Sequence, residues 1–320
     1  MRVLWPHNFD PSRLNCGCFM YTAARGLMDL GVDVRLEYLG NLRNPIAIAA
    51  ARRRVERIAA DFDVVHAQYG SACSLATSAC GQPAVVSIRG NDWNVYSASA
   101  HPLWLHTRVA RCMTMSALRG YRAVVCVSHR IAQELSRHCR ADTEVLVLPS
   151  AIDLSLWPET LSVQQERRQM HRVLFTSNTK CDPIKRAWLL KRAVAIASAR
   201  VGRIEVVLAT GIPHEEMPAL VASCDAVACT SETEGWPNSV KEALACGIPF
   251  VSTDVSDLWA IANSEPSCRI VEPNPESFAQ GLCEVLAAGR DPNLRRHVLH
   301  MGLEPASRSL LALYERLAAR

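Results

Sequence analysis

The chain reads as an α/β protein of two Rossmann-like parallel-sheet domains facing an interdomain cleft. Three observations lead there. Short apolar, β-branched runs alternate with longer segments of helical period, the alternation breaks once near residues 150–170 and then restarts, and 320 residues are long for a single layered core.

The first half runs Val3-Leu4-Trp5, a helix from Phe19 to Leu30 closed by Gly31, Val32 to Tyr38, a helix from Ile46 to Ala60, and Val64-Val65-His66. It continues through Ala84 to Ile88, the helical stretch Leu103 to Gly120, Ala123 to Val127, Ile131 to Cys139 and Val145 to Leu148. Near-continuous apolar strands imply parallel sheets covered on both faces. Pro149, Asp153, Pro158 and the polar stretch from Glu159 to Arg172 carry no strand signal. The pattern then resumes with Val173-Leu174-Phe175, a helix from Lys185 to Ala199, Ile204 to Leu208, Ala226 to Cys229, a helix after Pro237, Ile248 to Ser252, Arg269 to Val271, and helices to Arg320. This divides the chain into domains at 1–155 and 171–304, a linker at 156–170 and a last helix at 305–320 that can pack back on the first domain.

Composition narrows the function. A net charge of +4 and a pI near 8.4 fall short of a dedicated nucleic-acid binder. The thirteen cysteines include no CxxC pair, which points to reduced, buried thiols and away from zinc or a disulfide framework. No stretch approaches the roughly twenty apolar residues of a membrane span, and the start of the chain lacks a leader's apolar core. The expected location is the cytoplasm. One helical face carries Arg108, Arg111, Arg119 and Arg122 at about 100° per residue, with Val109, Met113, Ala117 and Tyr121 opposite. A solvated arginine stripe is the first reading of that face, since Gly120 can end the helix before Arg122, and peripheral contact with an anionic membrane or a lipid-linked acceptor is the second.

Ligands of open α/β sheets collect beyond the carboxyl ends of the strands, so the loops to inspect are Pro6 to Gly17, Arg89 to Asp92, Ser177 to Lys185 and Ser231 to Asn238. The densest is Glu234-Gly235-Trp236-Pro237-Asn238-Ser239-Val240-Lys241-Glu242, followed by Ala243, Ala245, Gly247, Pro249 and Val251. A strand ends, a Gly-Trp-Pro turn follows, and a helix opens at Pro237–Asn238 and closes on Gly247. Its opening N–H groups can take a phosphate through backbone and dipole alone. Either glutamate by itself reads as a carboxylate stabilised at a helix start.

The whole string resembles the signature of the retaining glycosyltransferases of family 4, with the GT-B fold, and strands such as Asp63 to Ala67, Ala123 to Ser128, Val147 to Asp153 and Cys224 to Val227 resemble that family's segments in the family's order. The resemblance implies a sugar transferred with retention from a nucleotide-diphosphate sugar to a glycan, lipid-linked saccharide or small-molecule acceptor. This would be work in polysaccharide biosynthesis, with the acceptor on the first domain and the donor on the second. It assigns Glu234 to the donor sugar, Gly235 through Ser239 (Gly235, Trp236, Pro237, Asn238, Ser239) to the diphosphate, and Glu242 to the ribose diol. Lys185 matches the family's diphosphate lysine and, with Glu234, is the catalytic candidate. Lys180 stands where relatives carry an arginine, and reads equally as a solvated lysine. Gly17 resembles a glycine that admits donor phosphates, or marks a plain turn. Arg89, where many relatives have histidine, cannot act as a base near neutral pH. With Asp92 it forms a candidate acceptor or phosphate contact, or an arginine simply paired with Asp92. Isolated histidines at His7 and His66 read as structural. No metal or other cofactor is expected, because the helix start and lysines can neutralise a diphosphate. A nucleotide-sugar 2-epimerase of the same fold and a non-catalytic nucleotide-binding protein remain as alternatives.

Overall fold

The computed structural model describes residues 1–97, 104–159, 170–177 and 182–319. The chain forms two compact units, Met1–Ile152 with Met301–Arg320, and Asp153–His300.

In the first unit β1 (Arg2–His7), α1 (Cys18–Asp29), β2 (Asp33–Tyr38), α2 (Pro45–Ala59), β3 (Val64–Ala67), α3 (Ser71–Thr77), β4 (Ala84–Ile88), α4 (Trp104–Ala117), β5 (Ala123–Cys126), α5 (His129–Ser136) and β6 (Glu144–Val147) follow in turn. The strands make one parallel sheet in the order β2-β1-β3-β4-β5-β6. The second unit holds β7 (His171–Thr176), α6 (Ala187–Val201), β8 (Ile204–Ala209), α7 (Met217–Ala222), β9 (Ala226–Cys229), α8 (Asn238–Ala245), β10 (Phe250–Ser252), α9 (Leu258–Ser264), β11 (Arg269–Ile270) and α10 (Pro275–Ala288). Its sheet is parallel in the order β11-β10-β9-β7-β8. The chain then returns to the first unit as α11 (Leu303–Ala318).

That return is secured by packing and by polar contacts. Leu310, Leu313, Tyr314 and Leu317 of α11 join Trp5, Met20, Leu27, Val64 and Val85 in one buried cluster. The Tyr314 hydroxyl accepts from Trp5 Nε1 at 3.1 Å and meets His66 Nδ1 at 2.5 Å, while His66 Nε2 meets Ser87 Oγ at 2.9 Å. Burial, reinforced by the Arg89 charge, holds the His66 imidazole well below its usual value, so it is neutral and structural. Gly26 of α1 makes room for the helix, since a Cβ there would lie 2.3 Å from Ser307 Oγ and 2.5 Å from Leu303 Cδ1.

Several elements differ from the sequence reading. The helix expected from Lys185 begins at Ala187; before it comes a 3₁₀ turn, Pro183–Lys185, and Arg186 in left-handed backbone at φ 46°. The short helices α3 and α7 gave no periodic signal, being only seven and six residues long. The helix carrying the arginines stops at Ala117, with Arg119 in the following 3₁₀ turn and Arg122 beyond it. Of the expected apolar positions Ala117 and Tyr121 are buried and Met113 is partly so, but Val109 is 44 % exposed, and the rest of the buried side of α4 is Thr107, Ala110 and Thr114. Arg111 packs over Trp93 at 4.4 Å and pairs with Glu134 at 3.6 Å; Arg108 lies 5.2 Å over Trp104.

Among the described residues every cysteine is free, and no helix is long and apolar enough to cross a membrane.

Candidate functional site

In each sheet one pair of neighbouring strands sends its chain to opposite sides, leaving a crevice beyond the carboxyl ends. In the second unit that pair is β7 and β9, hydrogen-bonded through Val173 with Ala226 and Leu174 with Val227. The residues after β7 lead to Lys185 and those after β9 to Glu234. The topology therefore brings together two loops that lie 49 residues apart in sequence.

Lys185 Nζ reaches Glu234 Oε1 at 2.5 Å, with the side chains 20 % and 17 % exposed. Ser231 Oγ donates to the same carboxylate oxygen at 2.7 Å. Burial alone would lower the Lys185 ammonium, but the Glu234 carboxylate, helped by Cys229 and Asp182, outweighs it and holds the amine above its ordinary value. The loops are also laced through their backbones. Glu232 N–H donates to Ile184 O at 2.9 Å, Thr230 Oγ1 donates to Lys185 O, and the Arg186 guanidinium reaches Thr230 O and Ser231 O.

Beyond this turn α8 opens at Pro237, where no side chain caps the helix. The N–H groups of Val240 and Lys241 both return to Pro237 O, at 3.1 and 3.2 Å. An uncapped helix start is an anion-binding surface. Its far end is closed by Gly247 at φ 69°, with Gly247 N–H on Leu244 O and Ile248 N–H on Ala243 O, the paired bonds of a glycine stop. Gly235, Trp236 and Pro237 are buried, Asn238 is exposed, and Ser239 is 9 % exposed. Ser256 Oγ donates to Gly235 O at 2.6 Å and anchors the turn. Glu242, half-buried one turn into the helix, has its carboxyl pushed up to about 7 by burial, against the pull of Lys241. Lys180 lies outside the described residues.

In the first unit the corresponding crevice lies between β1 and β3. Gly17 caps α1 at φ 78°, and a Cβ there would come within 2.9 Å of Phe9 Cβ, so glycine is required by the Phe9 ring as well as by the backbone. The loop before α1, through Ser12 and Asn15, and the first turn of α1, through Cys18 and Tyr21, line an open hollow of about 500 Å³.

Arg89 follows β4 and donates Nε to Gln68 O at 3.4 Å, Nη1 to Ser150 Oγ at 3.0 Å and Nη2 to Gln68 Oε1 at 3.0 Å. Its guanidinium sits 4.5 Å over the Phe19 ring, and burial lowers it to about 10, still charged at neutral pH. Asp92 is 0 % exposed, and its carboxylate accepts from the backbone N–H groups of Gly70, Arg89 and Gly90. A carboxylate enclosed in this way is a loop anchor and has no face to offer an acceptor, so Asp92 is withdrawn as a ligand contact. It meets Arg89 through that residue's backbone N–H.

The sequence singled out Lys185, Glu234, Glu242 and the Gly235–Ser239 turn, and the fold gathers them in one unit. It did not single out Ser231, Thr230 or Arg186. Serine, threonine and arginine at strand ends are too common to carry a signal without the partner loop. Among the described residues no group of three or more His, Cys, Asp or Glu side chains is arranged to hold a metal ion.

Comparisons with known proteins agree in kind. Residues 21–156 match the family model described as Glycosyltransferase Family 4, and residues 163–288 that described as Glycosyl transferases group 1. A protein of Bacillus subtilis (strain 168) named for teichuronic acid biosynthesis, the glycosyltransferase TuaC, is 21 % identical over 243 residues. The match covers 69 % of this chain and 60 % of that relative, so the chain spans well under the relative's full length. Among solved structures, sucrose-phosphate synthase from Thermosynechococcus elongatus matches at a TM-score of 0.73 and 15 % identity over 100 % of both chains. Anabaena HepE in complex with UDP and glucose matches at 0.67 and 15 %, over 99 % of this chain and 100 % of that one. A glycosyltransferase from Rickettsia africae matches at 0.69 and 14 %, over 99 % and 98 %. At these identities the structural likeness establishes the fold, that of GT-B proteins.

Proposed function

Given that the chain belongs to the group 1, family 4-type glycosyltransferases, we propose that it moves a sugar from a nucleoside-diphosphate donor to a saccharide acceptor with retention of anomeric configuration. In this reading the Asp153–His300 unit takes the donor and the other unit the acceptor. The supporting observation is the meeting of Lys185 and Glu234, 2.5 Å apart, in the loops beyond β7 and β9, in the same unit as the uncapped start of α8.

Each group has a task that suits its chemistry. The Lys185 ammonium and the opening N–H groups of α8 neutralise charge on the departing diphosphate, where fixed donors cost no reorganisation at the moment of reaction. Glu234 accepts hydrogen bonds from donor-sugar hydroxyls, and Ser231 orients it. Glu242 accepts from the ribose diol. The leaving phosphate can itself take the acceptor's proton, so retention by front-face transfer needs no protein nucleophile, and the charge balance needs no divalent ion. The hollow beside Tyr21 supplies acceptor-side space in the first unit, and Arg89, elsewhere in that unit, offers a fixed positive charge for an anionic group. The TuaC relative favours a polysaccharide pathway, and the HepE complex makes UDP-glucose the first donor to try.

Thermal-shift screening with UDP-, GDP- and ADP-sugars tests the donor. A ligand at about 100 times its Kd adds roughly 2.7 kcal/mol of stability. Product analysis with donor alone and with added acceptor then separates transfer from 2-epimerisation, and NMR of the new linkage reads its configuration. An inverted linkage removes the retaining assignment. Absence of both binding and turnover with every nucleotide sugar tried removes the function.

A further inference from the structure

The contacts that hold the Lys185–Glu234 pair converge on a residue with no task so far. Arg186 stands between the 3₁₀ turn and α6 at φ 46° and ψ 48°. A long side chain in left-handed backbone is strained, and such strain persists only where the surroundings over-determine it. Here they do. Arg186 Nε donates to Thr230 O at 2.6 Å, and Nη2 donates to Ser231 O at 2.6 Å and to Thr253 Oγ1 at 3.2 Å. Thr253 Oγ1 in turn donates to Ser231 O at 2.7 Å. In the other direction Thr230 Oγ1 donates to Lys185 O, and Glu232 N–H to Ile184 O. The arginine fork thus grips two consecutive carbonyls just upstream of Glu234, while its own backbone follows directly on Lys185.

We propose that Arg186 is a positioning residue: its guanidinium locks the Thr230–Ser231 carbonyls to the chain at Lys185, and so sets the separation of the Lys185 ammonium and the Glu234 carboxylate and the aim of Ser231 Oγ. This rests on the reading of Lys185 and Glu234 as donor contacts, and Arg186 itself acts through them. Without the fork the two charges still attract, but over a wider set of geometries. Losing about 1 Å of alignment in a catalytic group costs about 10²-fold in rate. Arginine suits the position because its planar fork addresses two acceptors at once, which the single ammonium of lysine cannot do with the same geometry.

The left-handed backbone allows a clean experiment. Arg186→Gly keeps that conformation without strain and removes only the side chain, whereas Arg186→Lys keeps a charge without the fork. With the nucleotide sugar selected by the screen, UDP-glucose being the first probe, Arg186→Gly is expected to keep its melting temperature within a few degrees. Its kcat should fall about 10²-fold with donor KM changed less than threefold, and Arg186→Lys should recover part of the loss. An unchanged kcat, or a rise in KM alone, overturns the proposal. A second readout needs no turnover. The chain has only four lysines, so ¹³C-lysine labelling resolves the Lys185 Cε signal against pH in the ligand-free protein. Glu234, Asp182 and Cys229 face that amine and hold it above its ordinary value; in Arg186→Gly it should move back toward that value. If it does not move, the proposal fails whatever the kinetics. If wild type turns over no nucleotide sugar, the donor reading fails while the lysine titration still decides the positioning role.

Discussion

Glu242→Gln should make the protein more stable and a poorer binder. In the folded chain burial raises the Glu242 carboxyl to about 7, from an unperturbed 4.5. Below pH 4.5 the group is protonated whether folded or not and costs nothing. As pH rises through the window to 7 the unfolded chain releases the proton first, so stability is progressively lost and the full penalty applies above it. That window corresponds to at most about 3 kcal/mol, and glutamine, which does not ionise, removes it. The variant should therefore melt several degrees above wild type at pH 8 and coincide with it near pH 4. The effect on binding has the opposite sign. A diol donating to a carboxylate makes charge-assisted bonds of about 1.5–3 kcal/mol each, against about 0.5–1.5 for a neutral acceptor. Two such bonds make Glu242→Gln weaker by about 2 kcal/mol, or about 30-fold in Kd. Wild type must also shed the proton to bind well, so its affinity should fall about tenfold between pH 8 and pH 6, and the variant's should stay level. Scanning fluorimetry gives the first pair of values, and calorimetry with UDP-glucose, whose diphosphate does not titrate in this range, gives the second. A variant less stable than wild type at pH 8, or one that keeps the wild-type pH dependence of binding, refutes the reasoning.

Lys185→Ala and Glu234→Ala should each lower turnover by about 10²–10³, as expected for removal of a fixed charge stabiliser, and steady-state kinetics with full turnover in Glu234→Ala would count against the site. Gly26→Ala sets the gain of about 1 kcal/mol in helix propensity against a Cβ placed 2.3 Å from Ser307 Oγ. The clash should win by about 1–3 kcal/mol, and urea unfolding that shows no loss would mean that α11 yields easily. Activity should survive EDTA; a loss restored by magnesium would show that the positive groups do not suffice. Arg111 is already engaged by Trp93 and Glu134, so attraction to anionic vesicles would fall to Arg108 of α4 and Arg119 of the turn that follows it. Equal sedimentation of wild type and Arg108→Gln/Arg119→Gln with phosphatidylglycerol liposomes removes that contact.

Much of the architecture was legible because parallel strands buried on both faces are mostly apolar, and Val64 to Ala67, Ala84 to Ile88 and Ala226 to Cys229 are, with only His66 and Ser87 as polar residues, hydrogen-bonded to each other. The start and stop of α8 were legible too, since Pro237 and Gly247 act through backbone geometry that belongs to the residue itself. Short helices without an amphipathic period, such as Ser71–Thr77, leave no such mark. The four arginines share one face only if the helix runs on to Arg122, and it ends at Ala117, just before the Gly120 stop that the sequence offered.

The alternation of elements, the spacing from Glu234 to Glu242 and the identity of the chemically able side chains are properties of neighbours along the chain, and the amino-acid order carries them. Which of those side chains meet is settled by the packing of the sheets. Lys185 reaches Glu234 because β7 and β9 are adjacent in the sheet. Arg186 grips the Thr230–Ser231 carbonyls through the same adjacency, and Asp92 is consumed by amides brought in from Gly70. A hydrogen bond depends on separation in space to a few tenths of an ångström, and chain order constrains that separation only within one turn or one strand.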